Sequence, residues 1–406
     1  MDILVYAFPV FIFLVIIEAF SLRASMSYKY RLNETISNLS CGIFDAIMNA
    51  SIGTLFVGIF ALSQKYFGLF TFNSSSILPW IMMFICIDLA YYIFHRASHR
   101  INLLWGAHVV HHQSEGYNLT VSLRQGTVAT WITYFFYLPL AFIGFTPIMF
   151  LTTYGVYQLY QFIVHTHYLK SLGPLEYIIA SPRLHRLHHA QNAHFLDKNY
   201  GGFFIIWDIL FSSYITPKGK MIYGVTSGIK KWNPLWANLY YFKALYQGSQ
   251  KLKKWNKLKI WFSPPERYYT KIHPKKYGYG YDAAPSNQWE KYALGQLVIA
   301  VVLAFFSLLY KNEIGIQLIL ISSSFVLLSL VNINGILDQS TWVLTMEIIR
   351  YCYLFVVITL MFMLGVFISL FYIVVILGIV SIIWFLAIRK EPLGELNITK
   401  KLTKPL

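Results

Sequence analysis

FHRASH (Phe94–His99), HVVHH (His108–His112) and HRLHH (His185–His189), with HTH (His165–His167) between the last two, are the segments whose reading decides this chain. Of its 12 histidines only His273 lies outside the stretch from Phe94 to Asn199. Neutral imidazole is the usual nitrogen ligand for iron and zinc, and helical residues at i, i+3 and i+4 share one face. His95 and His99 are four apart, while His108, His111 and His112, and again His185, His188 and His189, follow the i, i+3, i+4 pattern. Each motif therefore aims its imidazoles at one point. A lone histidine reads as a satisfied core or surface residue; three ligand-competent spacings within about a hundred residues read as a metal site. No cysteine joins the set, which suits iron or zinc and argues against an iron-sulfur cluster. Eight imidazoles exceed the ordinary coordination of one ion, so two metals are expected.

The composition says where such a site sits. The chain has 406 residues, 57% hydrophobic and 18% aromatic, with a mean hydropathy of +0.53, which predicts an integral membrane protein. Only 12% of residues are charged, yet the net charge is +16, the excess expected of cytoplasmic loops beside anionic headgroups. Nucleic acid is not an expected partner, because the basic residues lie between spans and next to aromatic ones. Cys41, Cys86 and Cys352 have no paired spacing, so no disulfide framework is indicated.

A span needs about twenty apolar residues. Stretches of that kind lie near 3–22, 41–62 and 77–94, the last delivering the chain straight into His95. Arg23, Lys29 and Arg31 place the loop after the first span in the cytoplasm, Lys65 leaves the next loop outside, and His95 returns to the cytoplasmic face. Apolar runs at 127–145 and 147–164, split by Gly144 and Pro147, predict a helical hairpin. A hairpin returns His165 to the side of His95 and His112. Residues 95–126 and 165–289 then form a polar, histidine-rich cap, and within Lys251–Lys276 lysines interleave with Trp255, Trp261, Tyr268 and Tyr269, as in a segment lying on headgroups or in a partner site. Tyr277–Asp282 (YGYGYD) reads as a linker. Four more apolar runs follow, near 292–309, 315–331, 342–364 and 367–388, before a tail with Arg389, Lys390, Lys400, Lys401 and Lys404. Within the third of these, Glu347 and Arg350 are spaced to pair on one helical face. The expectation is an all-α, polytopic helical bundle of about nine spans. Residues 1–289 would hold a cytosol-facing dimetal cap, and 290–406 a four-helix membrane domain.

H-x3-H, H-x2-HH and H-x2-HH on a polytopic chain resemble the fatty acid hydroxylase and sterol desaturase superfamily. Within it the text around the histidines is most similar to the branch acting on alkylglycerol ethers. That text is DLAYYIFHR (Asp88–Arg96), HHQSEGYNLTVSLRQ (His111–Gln125), LYQFIVHT (Leu159–Thr166), LGPLE (Leu172–Glu176) and DKNYGGFFIIWDILF (Asp197–Phe211). The resemblance implies a non-haem diiron monooxygenase, with two iron ions (zinc on expression being possible), O2, and tetrahydrobiopterin or another external reductant. It implies hydroxylation of the ether-linked carbon of a single-chain lipid, the hemiacetal collapsing to a fatty aldehyde and a glycerol derivative. A fatty acyl, sphingoid or sterol hydroxylase or desaturase is the alternative, and a metal transporter a more distant one; its ligands would lie inside spans near the midplane. The membrane site would be the endoplasmic reticulum in a eukaryote or the inner membrane in a bacterium.

Carried over by position, the resemblance assigns His95, His99, His108, His111, His112, His185, His188 and His189 to the metals and adds His165 as a ninth ligand. Glu115 and Asn118 follow the second motif in matching text and are candidate catalytic helpers. Asp88 lies about two helical turns before His95; it is a candidate for orienting an imidazole, or a buried acid capping another polar group. The chain departs from the superfamily pattern at Arg100 and His167, where acids are usual. His167 and His194 are read as local hydrogen-bonding residues rather than ligands.

Overall fold

The computed structural model describes residues 2–24, 31–227, 229–268, 281, 283, 285–310, 315–365 and 368–393. Lys29, Tyr269, His273, Lys276, most of the Tyr277–Asp282 linker and Lys400, Lys401 and Lys404 of the tail lie outside the described residues. Those described are helical, with two isolated bridges, Ile179 to Phe204 and Ala190 to Tyr223, and no strand. They fall into two compact units.

The first unit takes in 1–31, 48–229 and 238–277. Its axis is α3 (Ile77–Arg100), against which α4 (Asn102–His112), α6 (Thr127–Ile143) and α7 (Pro147–Ile163) pack; α1 (Asp2–Ala24), α2 (Leu32–Phe67) and α5 (Leu119–Leu123) complete the order to this point. Met83 and Ile87 of α3, Tyr137 and Leu140 of α6, and Met149, Phe150 and Tyr157 of α7 bury one aromatic-rich core with Phe56 and Phe60 of α2. The expected hairpin is there, and its chemistry is local. Gly144 ends α6 at φ +115°, a left-handed conformation that glycine alone adopts freely, and Thr146 caps α7 by accepting from the Met149 amide, with Pro147 in the first turn. Beyond α7, the short α8 (Pro182–His188), α9 (Ile206–Leu210) and α11 (Asn256–Phe262) and the longer α10 (Pro234–Gln250) build the polar part of the unit.

The second unit gathers 32–47, 230–237 and 278–406. Its helices α12 (Asn287–Leu309), α13 (Ile316–Leu337), α14 (Val343–Met363) and α15 (Ile368–Ile388) each pack on the next, and α12 also packs on α15. Inside, Arg350 donates to Glu347 at 2.6 Å, the pairing expected from their spacing, and reaches the Tyr292 hydroxyl at 3.1 Å.

Among the described residues five helices are long and apolar enough to cross a membrane, α3 and α12 to α15, or six if the two halves of α2, bent by 47°, count as one. Nine spans were expected. The difference lies in α1, whose apolar segment is Pro9–Ser21, and in α6 and α7, of 17 residues each. Seventeen residues rise about 25 Å, short of a hydrocarbon core of about 30 Å. The protein is an integral membrane protein.

Candidate metal centre

The nine candidate imidazoles meet in two buried groups. His95, His99, His108, His112 and His188 form one, and His111, His165, His185 and His189 the other; within each group one ring nitrogen per residue lies within 4.8 Å of all the others. His95 and His99 come from the last two turns of α3, His108, His111 and His112 from α4, His165 from the turn after α7, and His185, His188 and His189 from α8 and its C-cap. The groups share a wall: the rings of His112 and His189 stack with centroids 4.4 Å apart. Four short segments thus aim at one place, as the i, i+3, i+4 spacing requires.

Local chemistry holds each segment. Ser181 caps α8 through the Leu184 amide, with Pro182 in the first turn, and Glu176 braces that start by accepting from Ser181 and Arg183. Arg186 of α8 donates to the carbonyls of Thr166, His167 and Leu169, clamping the turn that carries His165. Asn102 at the start of α4 donates to the Ile260 carbonyl and accepts from Tyr241.

Four of the nine rings are set by main-chain carbonyls. Nδ1 of His95 lies 2.8 Å from the Tyr200 oxygen, that of His111 3.0 Å from Arg124, that of His165 2.7 Å from Gln161, and that of His188 2.9 Å from Lys198. A carbonyl only accepts, so these Nδ1 atoms carry the proton and each Nε2 presents a bare lone pair. Nε2 of His95, His99 and His188 is buried with no hydrogen-bond partner. Nε2 of His111 and His165 stand 3.2 Å apart, lone pair against lone pair, and the string continues to His185 at 3.1 Å and His189 at 3.2 Å. Protonation does not relieve this. Burial, reinforced by neighbouring imidazoles, pushes His108, His112, His165, His185 and His189 well below the usual imidazole range. Burial likewise lowers His111 to about 4 and His188 to about 3. Converging neutral nitrogens, orphaned in a dry interior, fit cations and little else.

The other candidates stand differently. Asp88 orients no imidazole, a correction to the first of its two readings. Its carboxylate accepts from the Tyr157 hydroxyl at 2.8 Å, the Phe203 and Phe204 amides at 2.7 and 3.0 Å, and Trp207 Nε1 at 2.8 Å. It braces a loop. Asn118 is a helix cap, its oxygen accepting from the amide and hydroxyl of Thr120. Glu115 is half-buried and meets Arg31 at 3.2 Å. Arg100, standing where an acid is usual, has acids opposite it: Asp197 at 2.5 Å and Glu266 at 2.8 Å. His167 and His194 belong to neither group; His194 packs on the Phe195 ring.

Some residues were not anticipated. Glu18, a single acid in the apolar run of α1, is buried and accepts from the Leu119 amide, the Thr166 hydroxyl and the His167 amide. An acid inside a would-be span was a readable signal. Asp197 and Asn199, at φ +59° and +54°, shape the loop whose carbonyls meet His188 and His95, and Asp208 fastens that loop. Only the left-handed tolerance of Asp and Asn hints at it in the sequence.

The Fatty acid hydroxylase family profile matches residues 80–213, the segment that holds all nine imidazoles. Alkylglycerol monooxygenase of Danio rerio is 31% identical over 331 residues, 79% of this chain and 74% of the relative. The Homo sapiens protein of that name is 28% identical over 340 residues, 81% and 76%. That of Xenopus tropicalis is 34% identical over 224 residues, covering 55% of this chain, and the matched part spans about half the length of that relative (50%). No solved structure matches the chain. With its histidine groups built from the matched segment, and its likeness to the Danio rerio protein running through three quarters of that relative, the chain belongs to the alkylglycerol monooxygenase family.

Proposed function

We propose that this chain is a membrane-bound, non-haem diiron monooxygenase that hydroxylates the ether-linked carbon of alkylglycerol lipids. The observation that carries the reading is the pair of buried groups in which nine imidazoles converge, four of them, His95, His111, His165 and His188, with the Nδ1 proton already committed to a carbonyl. His95, His99, His108, His112 and His188 would hold one ion and His111, His165, His185 and His189 the other. When bound, the two iron ions supply the activation of O2. One oxygen atom enters the C–H bond; the other leaves as water with two protons and two electrons from tetrahydrobiopterin or another external reductant. The hemiacetal so formed passes its hydroxyl proton to the ether oxygen as that C–O bond breaks, leaving a fatty aldehyde and a glycerol derivative.

The chain's own part is positioning and exclusion of water. Main-chain carbonyls fix four of the rings, and burial of all nine keeps bulk water from the reacting carbon. A site at the ends of α3 and α7 lets a single-chain lipid offer its head while its tail stays in hydrocarbon. Nine crossings, α1, α6 and α7 joining the six longer spans, with the cap toward the cytosol, agree with the Arg31 and Lys65 loops. Zinc is the rival metal, because imidazole sites take it readily.

A second reading keeps the site and changes the substrate. The Rhizobium tropici ornithine lipid hydroxylase OlsE is 27% identical over 138 residues, so another lipid C–H bond is the competing target. The test is direct: purified, iron-loaded protein is given reduced pterin, O2 and labelled alkylglycerol. Labelled fatty aldehyde supports the reading; hydroxylation of another lipid with no aldehyde overturns it.

A further inference from the structure

Asp208 lies in α9, nineteen residues or more from any histidine of the two groups along the chain, and is fully buried. One carboxylate oxygen accepts from the Tyr200 amide at 2.8 Å and the Ser213 hydroxyl at 2.6 Å; the other accepts from the Gly201 amide at 2.6 Å. Three donors and no acceptor suit an ionised carboxylate. The Gly201 N–H belongs to the same peptide unit as the Tyr200 carbonyl, and that carbonyl accepts the Nδ1 proton of His95 at 2.8 Å.

We infer that Asp208 is a positioning residue for the His95-containing group, acting on His95 through the Tyr200–Gly201 peptide. The inference rests on the metal reading above. The peptide is planar, with its N–H and C=O at opposite ends. A carboxylate drawing on the N–H enriches the carbonyl oxygen, which then holds the imidazole proton more firmly and makes Nε2 a better donor. Ligating histidines commonly find a carboxylate at their second nitrogen; here His95 finds one at the far end of a peptide. His188 supplies the comparison. Its carbonyl partner, Lys198, precedes the Asn199 amide, which donates to the neutral Ser213 carbonyl at 3.0 Å.

The sequence is shaped for this approach. A Cβ on Gly201 would stand 2.7 Å from the Phe204 oxygen and 2.9 Å from the Asp208 carboxylate, so a side chain there would push the peptide off the acid. Asn199 pins the other end of the loop by exchanging hydrogen bonds with the main chain of Ile215. Tyr92 on α3, one turn before His95, meets Ser213 at 3.0 Å, tying the acid's third donor to the helix that carries the ligand.

The experiment uses the full chain in detergent, loaded with cobalt(II), in the wild-type, Asp208→Asn and Asp208→Glu forms. Each is titrated with a chelator while the visible ligand-field bands are followed, and the melting temperature of each metal-free form is recorded. The wild type holds two ions. In Asp208→Asn one ion is released about tenfold more readily, its bands shifted. The other ion keeps its wild-type affinity, and the metal-free melting temperature falls in Asp208→Asn, which leaves one buried donor unmet, without loss of the fold. Asp208→Glu, keeping the charge, recovers part of the lost affinity. Asp208→Asn that holds both ions like the wild type, or loses both equally, overturns the inference. So does failure of both variants to accumulate as folded protein, which would make Asp208 a folding residue. A wild-type chain that holds no metal overturns the metal reading and this inference together; two ions in the wild type with an indifferent Asp208 overturn the inference alone.

Discussion

His95 and His111 differ in what removing each does. His95→Ala takes a nitrogen from one group and His111→Ala from the other, so each variant is expected to lose one ion by elemental analysis. Aldehyde formation should fall about a hundredfold or more in both. The metal-free protein should be acid-sensitive, with a sign that follows from burial. His111 and His188, neutral in the folded chain down to about pH 4 and 3, protonate near 6.5 when unfolded. The unfolded state therefore binds more protons below 6.5, and stability falls as pH drops from about 6.5 through 4. A melting temperature flat across that window would contradict the burial of these rings. Arg100→Glu, which restores the usual acid, would face Asp197 and Glu266 and should cost up to about 1 kcal/mol in denaturant unfolding. At this scale the spacing of the histidines was legible because a helix repeats every 3.6 residues. What fixes their rings was not: the carbonyls of Tyr200, Arg124, Gln161 and Lys198 are main-chain atoms that every residue carries. Asp88 shows the complementary failure. Its helical phase put it near the face of His95, but the donors that claim it arrive from Tyr157, 69 positions away, and from residues 203–207, more than a hundred positions away.

Among the elements, the α6–α7 hairpin carries the clearest consequence. Gly144 turns the chain in a left-handed conformation, and a Cβ there would stand 1.9 Å from the Phe70 oxygen. Gly144→Ala should destabilise the protein by about 1–3 kcal/mol, measured by thermal or denaturant unfolding. The hairpin was readable because glycine and proline mark helix ends chemically. Its span status was less so, since hydropathy counted residues 145 and 164 that the caps leave outside α6 and α7. Likewise α8, of only 7 residues, has no periodicity to announce it beyond Ser181-Pro182 and its own histidines.

For the molecule as a whole, composition settled the membrane and the motifs settled where chemistry would gather. The grouping of 32–47 and 230–237 with 278–406 is of another kind. It rests on contacts such as the Trp232 amide to Asp338 at 2.8 Å and Asn334 to Ser40 at 2.8 Å, which join residues 106 and 294 positions apart and leave no local pattern. The central claim is that the two histidine groups hold two cations side by side. Its most direct measurement is an experimental density map of the iron-loaded protein, with element-specific scattering to identify the metal. Two iron ions a few ångström apart are expected, one among His95, His99, His108, His112 and His188 and the other among His111, His165, His185 and His189. A single ion, or ions bound away from these rings, would contradict it.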